Sequence, residues 1–188
     1  MSYAREHSGR RPVLTGSLRP RAPWWATPVL WLAMVTMGLM AGLFYAFSVS
    51  VMPGLARTDD RTFVFAMQRI NQVIENPVFF GTFFGALVFT GAAAFVQYRM
   101  GLRDAMWWTV AALALYIVAL AITMGVNVPL NNKLAAAGKV DHIHDLAAVR
   151  DAFEGVWVTT NGVRALACTL ALACLGRSLS LQGKGEVA

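Results

Sequence analysis

The sequence predicts an all-α integral membrane protein, a four-helix bundle with a short amphipathic helix between spans one and two. Three observations predict it. The chain has 188 residues, which is room for one domain. Only 14% of them are charged and 57% are hydrophobic, against about 25% charged in a soluble domain. The missing charge is concentrated in four runs: Pro28 to Leu55, Pro77 to Tyr98, Ala105 to Asn132, and Val156 to Gly176, where Arg164 stands alone. A helix rises about 1.5 Å per residue and a hydrocarbon core is about 30 Å thick, so roughly 20 residues cross it. All four runs reach that length. The spans are placed at 28–52, 77–98, 105–130 and 156–176, within a transmembrane domain of 24–177.

Residues 1–23 form a basic tail rich in Arg, Pro, Ser and Gly, read as mobile. The first apolar run is much longer than the roughly 7 to 15 residues of a signal h-region, so it reads as a retained anchor. Gly38-x-x-x-Gly42 is a spacing that lets helices approach closely. Pro53-Gly54 is expected to break the helix at the far interface.

Between spans one and two, Asp59 to Asn76 reads as an amphipathic helix. Phe63, Met67, Ile70 and Ile74 form one stripe, with Arg61, Gln68, Gln72 and Glu75 opposite. Asp59 or Asp60 would cap its start, and the helix would lie at the membrane surface or over the bundle mouth. Asn76-Pro77 then opens span two, which carries a second close-approach pattern, Gly81-x-x-x-Gly85. Span three opens with Met106-Trp107-Trp108 and runs to Val128-Pro129-Leu130. The longest loop follows, helical over Asp145 to Glu154. Span four leads into a polar C-terminal tail, 178–188.

The net charge of +6 does not point to nucleic acid, because no basic helix or basic-aromatic pattern follows the N-terminal arginines. The two tails and the Arg99 to Asp104 turn hold nine Lys/Arg, and the two longer loops hold six. By the positive-inside rule both termini are cytoplasmic, in the plasma (inner) membrane. Cys168 and Cys174, six apart on one helix, fall on different faces and do not pair.

Polar residues gather at one end. In four antiparallel spans, the end of one, the start of two, the end of three and the start of four lie on the same side. Those places hold Tyr45, Ser48 and Ser50; Asn71, Glu75 and Asn76; Asn127 and Asn131; and Trp157, Asn161 and Arg164. The opposite halves hold almost nothing comparable. Trp157, Asn161 and Arg164 stand at i, i+4 and i+7 and share a helix face. An Arg near a helix centre costs about 2.5 to 3.5 kcal/mol on insertion scales, so Arg164 needs partners or water. Glu75 is the best-placed carboxylate, with Glu154 as the alternative, and the three asparagines offer carbonyl acceptors. The reading is a polar pocket with Arg164, Asn127, Asn161 and Glu75 as catalytic candidates. Tyr45, Asn71, Asn76, Asn131 and Trp157 are the substrate-binding candidates. Against it stands the plainer reading that such groups are interhelical glue, worth about 0.6 to 2 kcal/mol per contact. For Ser48 and Ser50, bonding to their own helix is the default.

Asp141-His142-Ile-His144-Asp145 has metal-binding residue types, but the spacing is weak and the default is a solvated turn, so no metal is assigned. No phosphate loop, haem-type His pair or catalytic triad is present. No cofactor is assigned.

These residues carry a resemblance. Gly42-Leu-Phe-Tyr-Ala-Phe-Ser48 with Val51-Met-Pro53, Ala66-Met-Gln-Arg-Ile-Asn71 with Asn76-Pro77, Asn127-Val-Pro-Leu-Asn131, and Trp157 with Asn161 and Arg164 occur in order across Gly38 to Gly176. In this the chain resembles the anthrone oxygenase-like family of small four-span membrane proteins. The resemblance implies a cofactor-independent oxygenase that turns anthrones into anthraquinones. Arg164 and the asparagines would stabilise an enolate, and Glu75 would be the base. Phe44, Phe47, Phe79, Phe80, Phe83 and Phe84 are candidates to line an aromatic site. The expected partners are the bilayer and a hydrophobic aromatic small molecule. The alternative is a non-catalytic membrane protein that binds a lipid or quinone, or an accessory subunit. A small transporter ranks third, since neither repeat symmetry nor broken helices are evident.

Overall fold

The computed structural model describes residues 26–187, with side chains to Gly183. The basic tail 1–23 lies outside the described residues. Within them the chain is all helix and turn, with no strand. Four helices are long and apolar enough to cross a membrane: α1 (Ala26–Leu55), α3 (Pro77–Arg99), α4 (Arg103–Ala136), and α5, whose apolar span is Leu146–Gly183. The helix α5 itself continues through the polar C-terminal residues to Val187. The amphipathic α2 (Asp60–Ile74) lies between α1 and α3. A single 3-10 turn, Val140–His142, precedes α5.

Each long helix packs on two others in the ring α1–α3–α4–α5–α1. The core they enclose includes Leu30, Met37, Phe44, Phe83, Tyr116 and Leu175. Of the two close-approach patterns, each contributes one glycine to a helix contact. A Cβ on Gly38 would lie 3.8 Å from Leu172, and one on Gly85 would lie 3.5 Å from Thr36, while Gly42 and Gly81 face open space.

The turns follow local chemistry. Asp59 accepts from the Thr62 amide at 2.8 Å and so caps α2. Asn76 Oδ1 accepts from the Val78 and Phe79 amides, both at 3.0 Å, and Pro77 takes the first helical position of α3. Gly101, with φ +72°, ends α3 as a Schellman cap: Leu102 N bonds the Gln97 carbonyl and Gly101 N the Tyr98 carbonyl. At the end of α4, Gly138 has φ +88° and its amide bonds the Ala135 carbonyl. Gln68 of α2 reaches in to donate to the Leu134 carbonyl at 2.8 Å and the Gly138 carbonyl at 3.0 Å. Gln68 therefore caps a neighbouring helix rather than standing on a solvated face.

Where a break was expected at Pro53-Gly54, α1 instead passes through a π turn, Phe47–Val51, and continues to Leu55. Proline has no amide hydrogen and its ring crowds the carbonyl four residues back, so the chain widens just before it. The same device recurs in α4, where the π turn Thr123–Asn127 is followed by Val128-Pro129. Both π turns lie toward one end of the bundle, the loop end. There α2 folds over the mouth on a second apolar cluster that includes Met52, Phe63, Met67, Leu134, Phe153 and Trp157.

Candidate functional site

Arg164 enters from α5 and is 4% exposed. Its Nη2 donates to Asn161 Oδ1 at 2.9 Å and its Nη1 to Thr123 Oγ1 at 3.2 Å. The guanidinium carbon lies 4.4 Å from the Phe44 ring centroid and 5.5 Å from that of Trp157. Those two faces give it cation–π contact. No carboxylate pairs with it among the described residues.

The neighbouring amides hold the frame. Asn161, 1% exposed, donates to the Phe44 carbonyl at 2.9 Å and to Ser48 Oγ at 2.8 Å. This ties α5 to the first π turn and its edge. Thr123, which opens the second π turn, donates its own hydroxyl hydrogen bond to the Ala119 carbonyl at 2.8 Å. Asn127, which closes that turn, is 1% exposed and makes only a long 3.5 Å contact to the Trp157 carbonyl. Asn131 Oδ1 accepts from the Trp157 indole at 2.9 Å.

The helix-face reading of Trp157, Asn161 and Arg164 matches the structure: all three are buried together. Asn127 and Asn131 flank the same Trp157. The other candidates are not brought in. Tyr45 is 59% exposed on the outer face of α1. Asn76 is committed to its cap, with Nδ2 donating to the Val73 carbonyl at 2.9 Å. Asn71 lies on α2 with a buried, unpartnered Nδ2. Glu75 is exposed at the end of α2 and does not reach Arg164, because the α2–α3 link turns away to start α3 at Asn76. Glu154 is taken by Arg150 at 2.6 Å. Of the aromatics, Phe44 stacks on Arg164 and Phe47 packs on Trp157, whereas Phe80 and Phe84 are exposed.

Ser48, read as a self-bonding serine, belongs to the network. Thr123 was missed altogether. Its signal is its spacing: it lies one turn before Asn127 on the same helix.

Asp141 pairs with Arg61 and Asp145 caps α5 through the Ala148 amide, so both acids beside His142 and His144 have structural partners. No group of three His, Cys, Asp or Glu is placed to hold a metal among the described residues. Cys168 is a free buried core residue and Cys174 is free and partly buried.

The opposite end is not empty, contrary to expectation. Gln97 donates to Ser178 Oγ at 2.8 Å and Gln182 Oε1 at 3.1 Å, and it accepts from Thr109 at 2.7 Å. The two ends differ in completeness. Among the described residues, four buried side-chain polar atoms lack a partner: Asn71 Nδ2, Asn127 Oδ1, Arg164 Nε, and Thr90 Oγ1 along α3. Two of them belong to the Arg164 cluster and none to the Gln97 cluster.

The anthrone oxygenase family model matches residues 79–174. The chain belongs to the anthrone oxygenase family. That match takes in Thr123, Asn127, Asn131, Trp157, Asn161 and Arg164, and leaves Phe44, Ser48, Asn71 and Glu75 outside it. No curated protein and no solved structure matches the chain.

Proposed function

We propose that this family member is a cofactor-independent oxygenase of a hydrophobic aromatic substrate, working at the loop end of a bundle in the plasma membrane with both termini cytoplasmic. The observation that carries the reading is the buried Arg164, which bonds only neutral groups and leaves its Nε–H without a partner among the described residues. A guanidinium is charged at any physiological pH. Buried without a carboxylate, it favours a ligand that brings or develops negative charge on oxygen, as an oxyanion site does.

In this reading an anthrone-like CH₂ next to a carbonyl loses a proton, and the charge moves to the carbonyl oxygen near Arg164. The carbanion adds to O₂, a proton completes the hydroperoxide, and loss of water leaves the second ketone. The net change is CH₂ plus O₂ giving C=O plus H₂O. Glu75 is exposed and makes no ion pair with Arg164, so in this reading it is not assigned as the base and the proton leaves to solvent.

The test is oxygen uptake by purified protein in detergent with a simple anthrone such as emodin anthrone, beside Arg164→Met. Uptake above the spontaneous rate that is lost in the variant supports the reading. No uptake above background from folded protein overturns it.

A further inference from the structure

A second site lies outside the Arg164 cluster. Between α2 and the turn that follows α4 there is a groove of about 720 Å³. One wall is the α2 face of Arg61, Phe65, Gln68, Arg69 and Gln72. The other runs from Ala135 through Gly138, Lys139 and Val140 to Asp141. Two separate segments thus bring three cations and one acid to one cavity.

The floor is built rather than incidental. Gly138 adopts a left-handed backbone that an L side chain rarely takes, and Gln68 clamps the turn through the Leu134 and Gly138 carbonyls. Arg69 is held by Gln72 Oε1 at 3.1 Å and lies 5.5 Å over the Phe65 ring. Its direction is therefore set before any ligand arrives. The single acid, Asp141, is paired with Arg61. Arg69 and Lys139 have no carboxylate partner among the described residues. The groove keeps a net positive charge, with the Gln72 Nε2 donor, uncommitted among the described residues, beside it.

We propose that this groove binds the phosphate group of an anionic phospholipid. Phosphate suits a pair of uncompensated cations with neighbouring N–H donors. The bilayer is the source because α2 joins the end of α1 directly to the start of α3, so it lies where the spans emerge. Phe65 and Val73 are exposed along it, giving apolar contact for the rest of a lipid. A zwitterionic headgroup carries its own cation and gains little. The proposal does not depend on the oxygenase reading.

The experiment follows the melting temperature of the purified full chain in a nonionic detergent during titration with short-chain phosphatidylglycerol, phosphatidylcholine or inorganic phosphate. Phosphatidylglycerol is expected to raise Tm saturably and phosphatidylcholine to do little. The double variant Arg69→Gln/Lys139→Gln, which alters two exposed residues, keeps its own Tm but needs about tenfold more phosphatidylglycerol or greater. Arg57→Gln, an exposed cation away from the groove, titrates like the parent. An equal response to both lipids, or an unchanged titration in the double variant, overturns the site. Inorganic phosphate matching phosphatidylglycerol overturns the lipid assignment and makes free phosphate the ligand.

Discussion

The two ends of this bundle hold buried polar clusters of similar size and opposite character. At the tail end, Gln97, Thr109, Ser178 and Gln182 are neutral and mutually bonded, and no side-chain atom among them is left over. At the loop end, Arg164 is charged, faces only neutral acceptors, and leaves Nε unbonded, while Asn127 leaves its carbonyl unbonded. Glue satisfies itself, because an unmet buried group costs about 1 to 3 kcal/mol. The loop-end cluster does not satisfy itself, and the proposed oxyanion site rests on that difference. Arg150, four turns before Arg164 on α5, sharpens the contrast. Its guanidinium bonds Glu154, Asp60 and the carbonyls of Thr58 and Ala56 and lies 4.5 Å from the Phe63 ring centroid, fastening α2 to α5.

Replacing each centre should therefore give opposite results. Arg164→Met is expected to cut anthrone-dependent oxygen uptake by about 100-fold or more, as loss of an oxyanion donor does. Its melting temperature should hold or rise, because an unpaired buried charge has been removed. Gln97→Leu should do the reverse. It takes one partner each from Ser178 and Thr109 and the only partner of Gln182 Oε1, and costs about 1 to 2 kcal/mol of stability, with oxygen uptake per folded molecule within about twofold of the parent. If Arg164→Met unfolds the protein and Gln97→Leu does not, the two ends have been read the wrong way round. Thermal melts and oxygen-electrode rates on the same preparations decide it.

Much of this was legible in the chain. Four charge-free runs predict four long helices, since nothing but length and hydropathy is needed. The i, i+4, i+7 spacing of Trp157, Asn161 and Arg164 predicts their shared face because α5 is regular there. Glu75 was misjudged because sequence places it at the correct end of the bundle but cannot show its direction. The α2–α3 link commits Asn76 as a cap and leaves Glu75 outside. Tyr45 fails for a related reason: a span has several faces at each depth, and that one faces outward. Ser48 is read from sequence as bonding its own helix, and Thr123 is not singled out, because the positions of both depend on π turns, which shift the helix register. The prolines behind those turns are visible in the sequence, yet Pro53 reads as a break and Pro129 only as part of the end of span three, rather than as marks of local widening.

Thr123 allows a finer cut at the loop end. It accepts from Arg164 Nη1 and donates to the Ala119 carbonyl, so it fixes one side of the guanidinium. Thr123→Val keeps the shape and removes the acceptor. Oxygen uptake should fall about tenfold, the scale of one lost hydrogen bond to a charged group. Thr123→Ser should restore it. A valine variant as active as the parent would leave Arg164 held by Asn161 and the aromatic faces alone.

The smallest expected effect concerns α2, the helix folded over the bundle mouth. Asp59 starts α2, and its carboxyl is held below the ordinary aspartate value, mainly by the Thr62 amide and then by the Thr62 hydroxyl. The sign follows from the depressed value. Stabilisation of this helix start is fully present above the unfolded aspartate pKa, near 3.9, and fades as pH falls through the lower folded value. Below about pH 4, amide exchange in the first turn of α2 should therefore quicken while the long helices stay protected. Asn also caps helices but does not titrate there, so Asp59→Asn should flatten the pH response and keep the turn. If exchange near Thr62 shows the same acid dependence in that variant, Asp59 is not the group that couples the cap to pH. The loosening would then arise in the contacts between α2 and α5.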